Sequence, residues 1–164
     1  DMSGRGKDIL SAGLLLHDVG KIGIPDHILN KPARLDPGEW EIMKTHAQLG
    51  SEAIVHAEQD ATTPVAFLAL AKEIAHWHHE KWDGSGYPRG LRGDNIPLEA
   101  RIMSLADMYD ALVTKRVYKE AWPHEQAAQE IISKRGTQFD PSIVDAFIAE
   151  QERFQDIADN YRDN

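Results

Sequence analysis

Proline and glycine cut this chain into apolar stripes of helical period, and no other feature of the sequence constrains its fold so strongly. Pro37 is followed by Trp40, Met43, Ala47, Gly50 and Ile54, and Pro64 by Phe67, Leu70, Ala71 and Ile74. Pro97 precedes Leu98, Ile102, Leu105, Tyr109 and Leu112, and Pro123 precedes Ala127, Ala128, Ile131 and Ile132. Asp140-Pro141 leads into Val144, Phe147 and Ile148, and an earlier stripe joins Ile9, Leu10, Gly13, Leu14 and His17. Spacing of three and four places each set on one helix face, and no stretch alternates with the period of a strand. The chain is expected to be all-α, a compact orthogonal helical bundle. Asp36-Pro37-Gly38-Glu39 reads as a helix start, with an acid at the N-cap, proline in the first turn and glutamate three residues on. Residues 22–34 and 83–95 are rich in proline or glycine and read as loops.

The 164 residues suffice for one domain, 1–164, with 155–164 expected as a frayed polar tail. The absence of cysteine excludes disulfides, zinc–thiolate sites, iron–sulfur clusters and thiol nucleophiles. It also suits a reducing, cytoplasmic setting. A formal charge of −9 argues against a nucleic-acid polymer or an anionic membrane as partner. No apolar run is long enough to span a bilayer. A short polar lead runs directly into an apolar helix, which reads as a piece of a longer protein.

The eight histidines carry the chemistry. His17-Asp18 sits where an apolar helix meets a glycine-punctuated loop, a costly place for an unpaired carboxylate. Taken alone the pair is more simply a helix-end histidine beside a solvated aspartate. His78-His79 shifts the balance, because position 78 continues the buried stripe of Phe67, Leu70/Ala71 and Ile74. His46 adjoins inward-facing Ala47. Asp107 lies within a helix beside apolar Leu105 and Tyr109, where aspartate is disfavoured by propensity and needs a partner. Four histidines and two carboxylates exceed what one tetrahedral ion requires and suit two ions at a phosphoester-cleaving site. His27, His56, His76 and His124 are expected at the surface or at caps.

These residues resemble a known family. His17-Asp18-Val19-Gly20-Lys21-Ile22-Gly23-Ile24-Pro25 is similar to the signature of HD-domain metallophosphohydrolases. His78-His79-Glu80-Lys81-Trp82-Asp83-Gly84-Ser85-Gly86-Tyr87-Pro88 narrows the resemblance to the HD-GYP subfamily. Ile96-Pro97-Leu98, Ala100-Arg101-Ile102, Asp107 to Leu112, Arg116 with Tyr118-Lys119, and Gly136 to Pro141 extend it, so that it covers about Leu14 to Phe147.

The resemblance implies a phosphodiesterase that hydrolyses cyclic di-GMP to linear pGpG, and onward to GMP, by a metal-activated hydroxide in the bacterial cytoplasm. It assigns His17, Asp18, His46, His78, His79 and Asp107 as ligands of two divalent ions, iron or manganese before nickel, magnesium or zinc. Asp18 would bridge them, His17 and Asp107 holding one ion and His46, His78 and His79 the other. His17, Asp18 and Lys21 are implied as catalytic, and Lys21, Arg116 and Lys119 as contacts to substrate phosphate. Gly86-Tyr87-Pro88 forms a motif loop linked to the pocket and to diguanylate cyclase domains, and an upstream sensor or receiver domain is expected in the parent protein. Two alternatives stand beside this: another cyclic dinucleotide such as cyclic GMP-AMP, or a poorly active metal-bearing module that binds nucleotide or a partner. The family places a further ligand-bearing helix before the His-Asp pair, and residues 1–7 do not read as that helix. Its absence would leave the His17/Asp107 ion weaker and bare the face of Ile9–Leu16, favouring a homodimer.

Overall fold

A computed structural model describes residues 15–60, 66–115 and 120–162. Among these the fold is all-α, with one isolated bridge between Arg135 and Phe139 and no strand. A 3-10 turn, Val19–Gly23, leads into α1 (Asp26–Leu29), α2 (Pro37–Lys44), α3 (His46–Asp60) and α4 (Ala66–Trp77). A second 3-10 turn, Gly93–Asn95, precedes α5 (Leu98–Val113), α6 (His124–Ser133), α7 (Pro141–Ala149) and α8 (Gln151–Arg162). No helix among the described residues is long and apolar enough to cross a membrane.

The helix starts follow local chemistry. Asp36 accepts from the Glu39 amide at 2.8 Å and the Glu39 carboxylate accepts from the Asp36 amide at 2.8 Å, a complete capping box. Asp140 caps α7 by accepting from the amide and hydroxyl of Ser142. Its other oxygen takes a 2.6 Å bond from Arg101 on α5, so one buried carboxylate both starts α7 and ties it to α5.

Two apolar cores result. Ile54 of α3 meets Ala71 and Ala75 of α4, with Leu16, Val19 and Leu68 against them. Leu105, Tyr109, Leu112 and Val113 of α5 pack on Ala127, Ala128 and Ile131 of α6 and on Val144 and Phe147 of α7. α5 touches α4 on one side and α6 and α7 on the other, so it joins the two cores.

The structure departs from the sequence reading in several places. The stripe from Trp40 to Ile54 is two helices, because the Thr45 amide and hydroxyl both bond to α2 carbonyls and close that helix. Trp40, Leu98, Ile132 and Ile148, expected inward, are exposed. The expected loop 22–34 contains α1, anchored by buried Ile28. The expected frayed tail is α8, which Phe154 and Ala158 hold against the α5–α7 core. His124 is buried rather than superficial, its Nδ1 bonded to the Tyr109 hydroxyl at 2.8 Å. Ile9–Leu14, Pro64, Arg116, Tyr118 and Lys119 lie outside the described residues. Of the Ile9–Leu16 face expected to favour self-association, only Leu15, which is exposed, and Leu16, which packs against Ile54, Ala71 and Ala75, are described.

Asp140 gives the fold a pH signature. Burial alone would raise its pKa, but the bonds from Ser142 and Arg101 hold it below the ordinary carboxylate range. Folding therefore favours the ionised form. The stabilisation is present above the unfolded value, about 3.9, and is lost as pH falls through the lower folded value. Asp140→Asn should cost about 1.5–3 kcal/mol at neutral pH. In urea denaturation the gap from the parent protein should narrow as the pH falls below the unfolded value of about 3.9.

Candidate metal centre

The centre forms where the first 3-10 turn, the start of α3, the end of α4 and the middle of α5 converge. The turn reaches α3 by backbone contact. A Cβ on Gly20 would lie 2.0 Å from the His46 carbonyl oxygen and 2.4 Å from the Gly50 nitrogen. Only a residue without a side chain fits there, and this approach delivers Asp18 to His46.

Asp18 divides its carboxylate between two groups of histidine. Oδ1 lies 3.6 Å from His46 Nε2, and Oδ2 lies 3.3 Å from His17 Nε2. His17 Nε2 is in turn 3.9 Å from Asp107 Oδ1 on α5. Lys21, one turn after Asp18, pairs with Oδ2. Burial would raise the Asp18 pKa, but the bonds from His17 and Lys21 override it and hold the group well below the usual carboxylate range. Ligand atoms of Asp18, His46, His78 and His79 all lie within 4.8 Å of one another.

The histidines are oriented from behind. His46 Nδ1 lies 2.7 Å from the Met43 carbonyl oxygen, and His78 Nδ1 lies 3.0 Å from that of Ile74. A carbonyl can only accept, so each Nδ1 carries the proton and each Nε2 keeps its lone pair. His46 Nε2 faces His79 Nε2 at 3.1 Å. His78 Nε2 is buried with no hydrogen-bond partner. Burial, then the neighbouring His17 and His46, push the His78 pKa down to about 4. Burial, then His78 and His46, push His79 down to about 2. Both rings are neutral at physiological pH, the form that ligates. A buried orphan nitrogen, neutral imidazoles and an ionised carboxylate fit a divalent transition ion.

All six expected ligands are thus gathered, with Lys21 beside them. Arg116 and Lys119 lie outside the described residues. Glu80, Trp40, Lys44 and Lys81 had no role assigned from the sequence. Glu80, 2% exposed, accepts from the amides of Arg89 at 2.8 Å and Leu91 at 3.0 Å and pins the motif loop. The pinned loop lays the Tyr87 ring on His79, with ring centres 4.7 Å apart and planes 27° from parallel. Gly86 permits this, because a Cβ there would meet the Lys81 nitrogen at 2.4 Å. Trp40, Lys44 and Lys81 join His78, His79, Tyr87 and Asp107 around a cavity of about 380 Å³. Glu80 was legible as an acid following two ligands, and Trp40 with Lys44 as an i, i+4 pair just before His46.

A family model described as HD domain matches residues 3–143. A cyclic di-GMP phosphodiesterase of Vibrio cholerae is 49% identical over 156 residues, which is 95% of this chain and 32% of that protein. A 3′3′-cGAMP-specific phosphodiesterase of the same organism is 44% identical over 147 residues, 90% of this chain and 27% of that protein. The chain therefore spans about a third of the length of these curated relatives. A crystal structure of a cyclic GMP-AMP specific phosphodiesterase of V. cholerae matches with a TM-score of 0.63, covering 98% of this chain and 44% of its own. At 22% identity that likeness concerns the fold alone.

The buried Glu80 carboxylate generates a local test. Glu80→Ala leaves two part-buried loop amides without their acceptor and should cost about 1 kcal/mol. Hydrogen exchange should then accelerate at the Arg89 and Leu91 amides while the α6 and α7 amides stay protected. Unchanged protection at both loop amides would refute the clamp.

Proposed function

This chain belongs to the HD domain family, and we propose that it is a metal-dependent phosphodiesterase that hydrolyses cyclic di-GMP to linear pGpG and onward to GMP. The observation that carries the reading is the division of Asp18, with one oxygen turned to His46 and the other to His17. In this reading His46, His78 and His79 would hold one ion and His17 and Asp107 the other, with the Asp18 carboxylate available to both. Iron or manganese suits the mixed nitrogen and oxygen donors. Divalent ions at such a site supply Lewis acidity and bring the pKa of water toward neutrality.

The chain's own groups do the rest. Asp18 stays ionised because His17 and Lys21 both bond to it. His78 and His79 stay neutral because partial or full desolvation and the neighbouring imidazoles hold their pKa down, so no proton must leave them before they ligate. The Lys21 ammonium, half-exposed beside Asp18, is placed to offset charge growing on a phosphoryl oxygen. Arg116 and Lys119 are proposed as further phosphate contacts. Tyr87, stacked on His79, covers one side of the centre and its hydroxyl stays protonated, burial and then Asp18 and Asp107 holding its pKa above the ordinary phenol value. A second reading, hydrolysis of 3′3′-cyclic GMP-AMP by the same site, draws support from the 44% identical relative with that named activity.

Protein loaded anaerobically with iron or manganese should convert cyclic di-GMP to pGpG, as resolved by chromatography, and a parallel reaction with cyclic GMP-AMP ranks the two substrates. Asp18→Asn should reduce turnover by at least about 100-fold, since even partners behind a ligand cost 10–100-fold. Full turnover in Asp18→Asn would sink the site assignment.

Metal should also stabilise the fold, by about 4 kcal/mol at 1,000 times its dissociation constant. Chelation should therefore lower the melting temperature of loaded protein, as read by differential scanning calorimetry, and readdition of the ion should restore it.

A further inference from the structure

Trp40 breaks the pattern of its helix. Its stripe predicts a core residue, yet the indole is 45% exposed. It stands in the wall of the 380 Å³ cavity that also takes in His78, His79 and Asp107. Its ring meets Tyr87 edge-on, with centres 6.1 Å apart and planes at 84°. Tyr87 in turn stacks on His79, so a continuous aromatic run leads from the ligand histidines to the cavity wall. Lys44 lies one turn after Trp40 on the same face of α2, with Nζ 5.9 Å from the Tyr87 ring centre. Lys81 lines the cavity as well. In a chain of net charge −9, two lysines beside an exposed indole make a local patch that suits an anionic aromatic ligand. An exposed tryptophan with flanking cations is what a nucleotide needs, a π-face for the base and positive charge for the phosphate.

We infer that Trp40 and Lys44 form a nucleotide subsite in which the indole stacks on one purine of the cyclic dinucleotide and Lys44 faces the phosphate distant from the ligand histidines. The inference rests on the proposed substrate class and adds to it the half of the substrate that is not cut. Lys44 pairs with exposed Glu41 at 2.8 Å, a surface pair worth little that a phosphate can replace. Trp40 and Lys44 are binding residues, and their effect falls on affinity.

The test uses metal-loaded protein and two readouts. Trp40→Ala should raise KM for cyclic di-GMP about 10-fold, with a much smaller effect on kcat, because a stacked base is worth roughly that factor. Trp40→Phe, which keeps an aromatic face, should restore most of the affinity. Lys44→Gln should raise KM and flatten its dependence on salt. Independently of turnover, a phosphorothioate analogue of cyclic di-GMP should quench indole fluorescence in the parent protein, and Trp40→Phe should lose that component. An unmoved KM in both Trp40→Ala and Lys44→Gln, or a loss confined to kcat, overturns the subsite and leaves the phosphodiesterase reading intact. Quenching that depends on Trp40, in protein that cleaves neither dinucleotide, supports the subsite and overturns the catalytic reading instead. Absence of both turnover and quenching overturns the subsite.

Discussion

The centre depends on the backbone of the first 3-10 turn lying directly on the backbone of α3. Gly20 sits where any side chain would strike the His46 carbonyl and the Gly50 amide. Close packing of main chain on main chain is rigid, because no side chain intervenes to change rotamer. That rigidity passes to Asp18, two residues before the contact, and to His46, whose own carbonyl forms part of it. The aspartate therefore has little freedom to turn away from its histidines. A carboxylate gathered among neutral imidazoles in a half-buried site is costly without compensation, and Lys21 supplies it locally.

A second layer of buried polar bonds holds the walls of the cavity. Glu80 fixes the motif loop from beneath by its two amide bonds. Arg101 ties α5 to the start of α7 and to the second 3-10 turn. Its guanidinium bonds to Asp140 at 2.6 Å and to Asp94 at 3.0 Å and stacks 5.7 Å over Trp82. The Trp82 and Asp83 amides also bond to the carbonyls of Gln138 and Thr137. The long loop from 81 to 96 is thus irregular in backbone yet anchored at both edges. The first turn, the start of α3, the residues just after α4 and the middle of α5 bring the candidate ligands together, and this braced loop sets the shape of the space above them.

Much of this was legible in the residues. Helical period marked most of the elements, and the Asp36 and Asp140 starts appear as expected because caps are local interactions within four residues. The clustering of histidine and aspartate was legible because polar side chains on apolar stripes are costly, while their assignment as metal ligands is what the family resemblance implies. His46 and His78, both 2% exposed, fall where their stripes put them. The break at Thr45 was not visible, since it is closed by ordinary hydrogen bonds without proline or glycine. α8 was missed because only Phe154 and Ala158 mark its buried side, and a polar sequence with two apolar anchors resembles a tail.

By itself the sequence determined the all-α class, the helix starts and the identity of the residues that converge, because these follow from period, capping and the cost of buried charge. Tertiary structure alone decided which oxygen of Asp18 faces which histidine, and that Glu80 clamps a loop. It also decided that Trp40 lines a cavity instead of filling a core. Each of those depends on contacts between residues far apart in the chain, and the helical period of one segment carries no record of what another segment will bring against it.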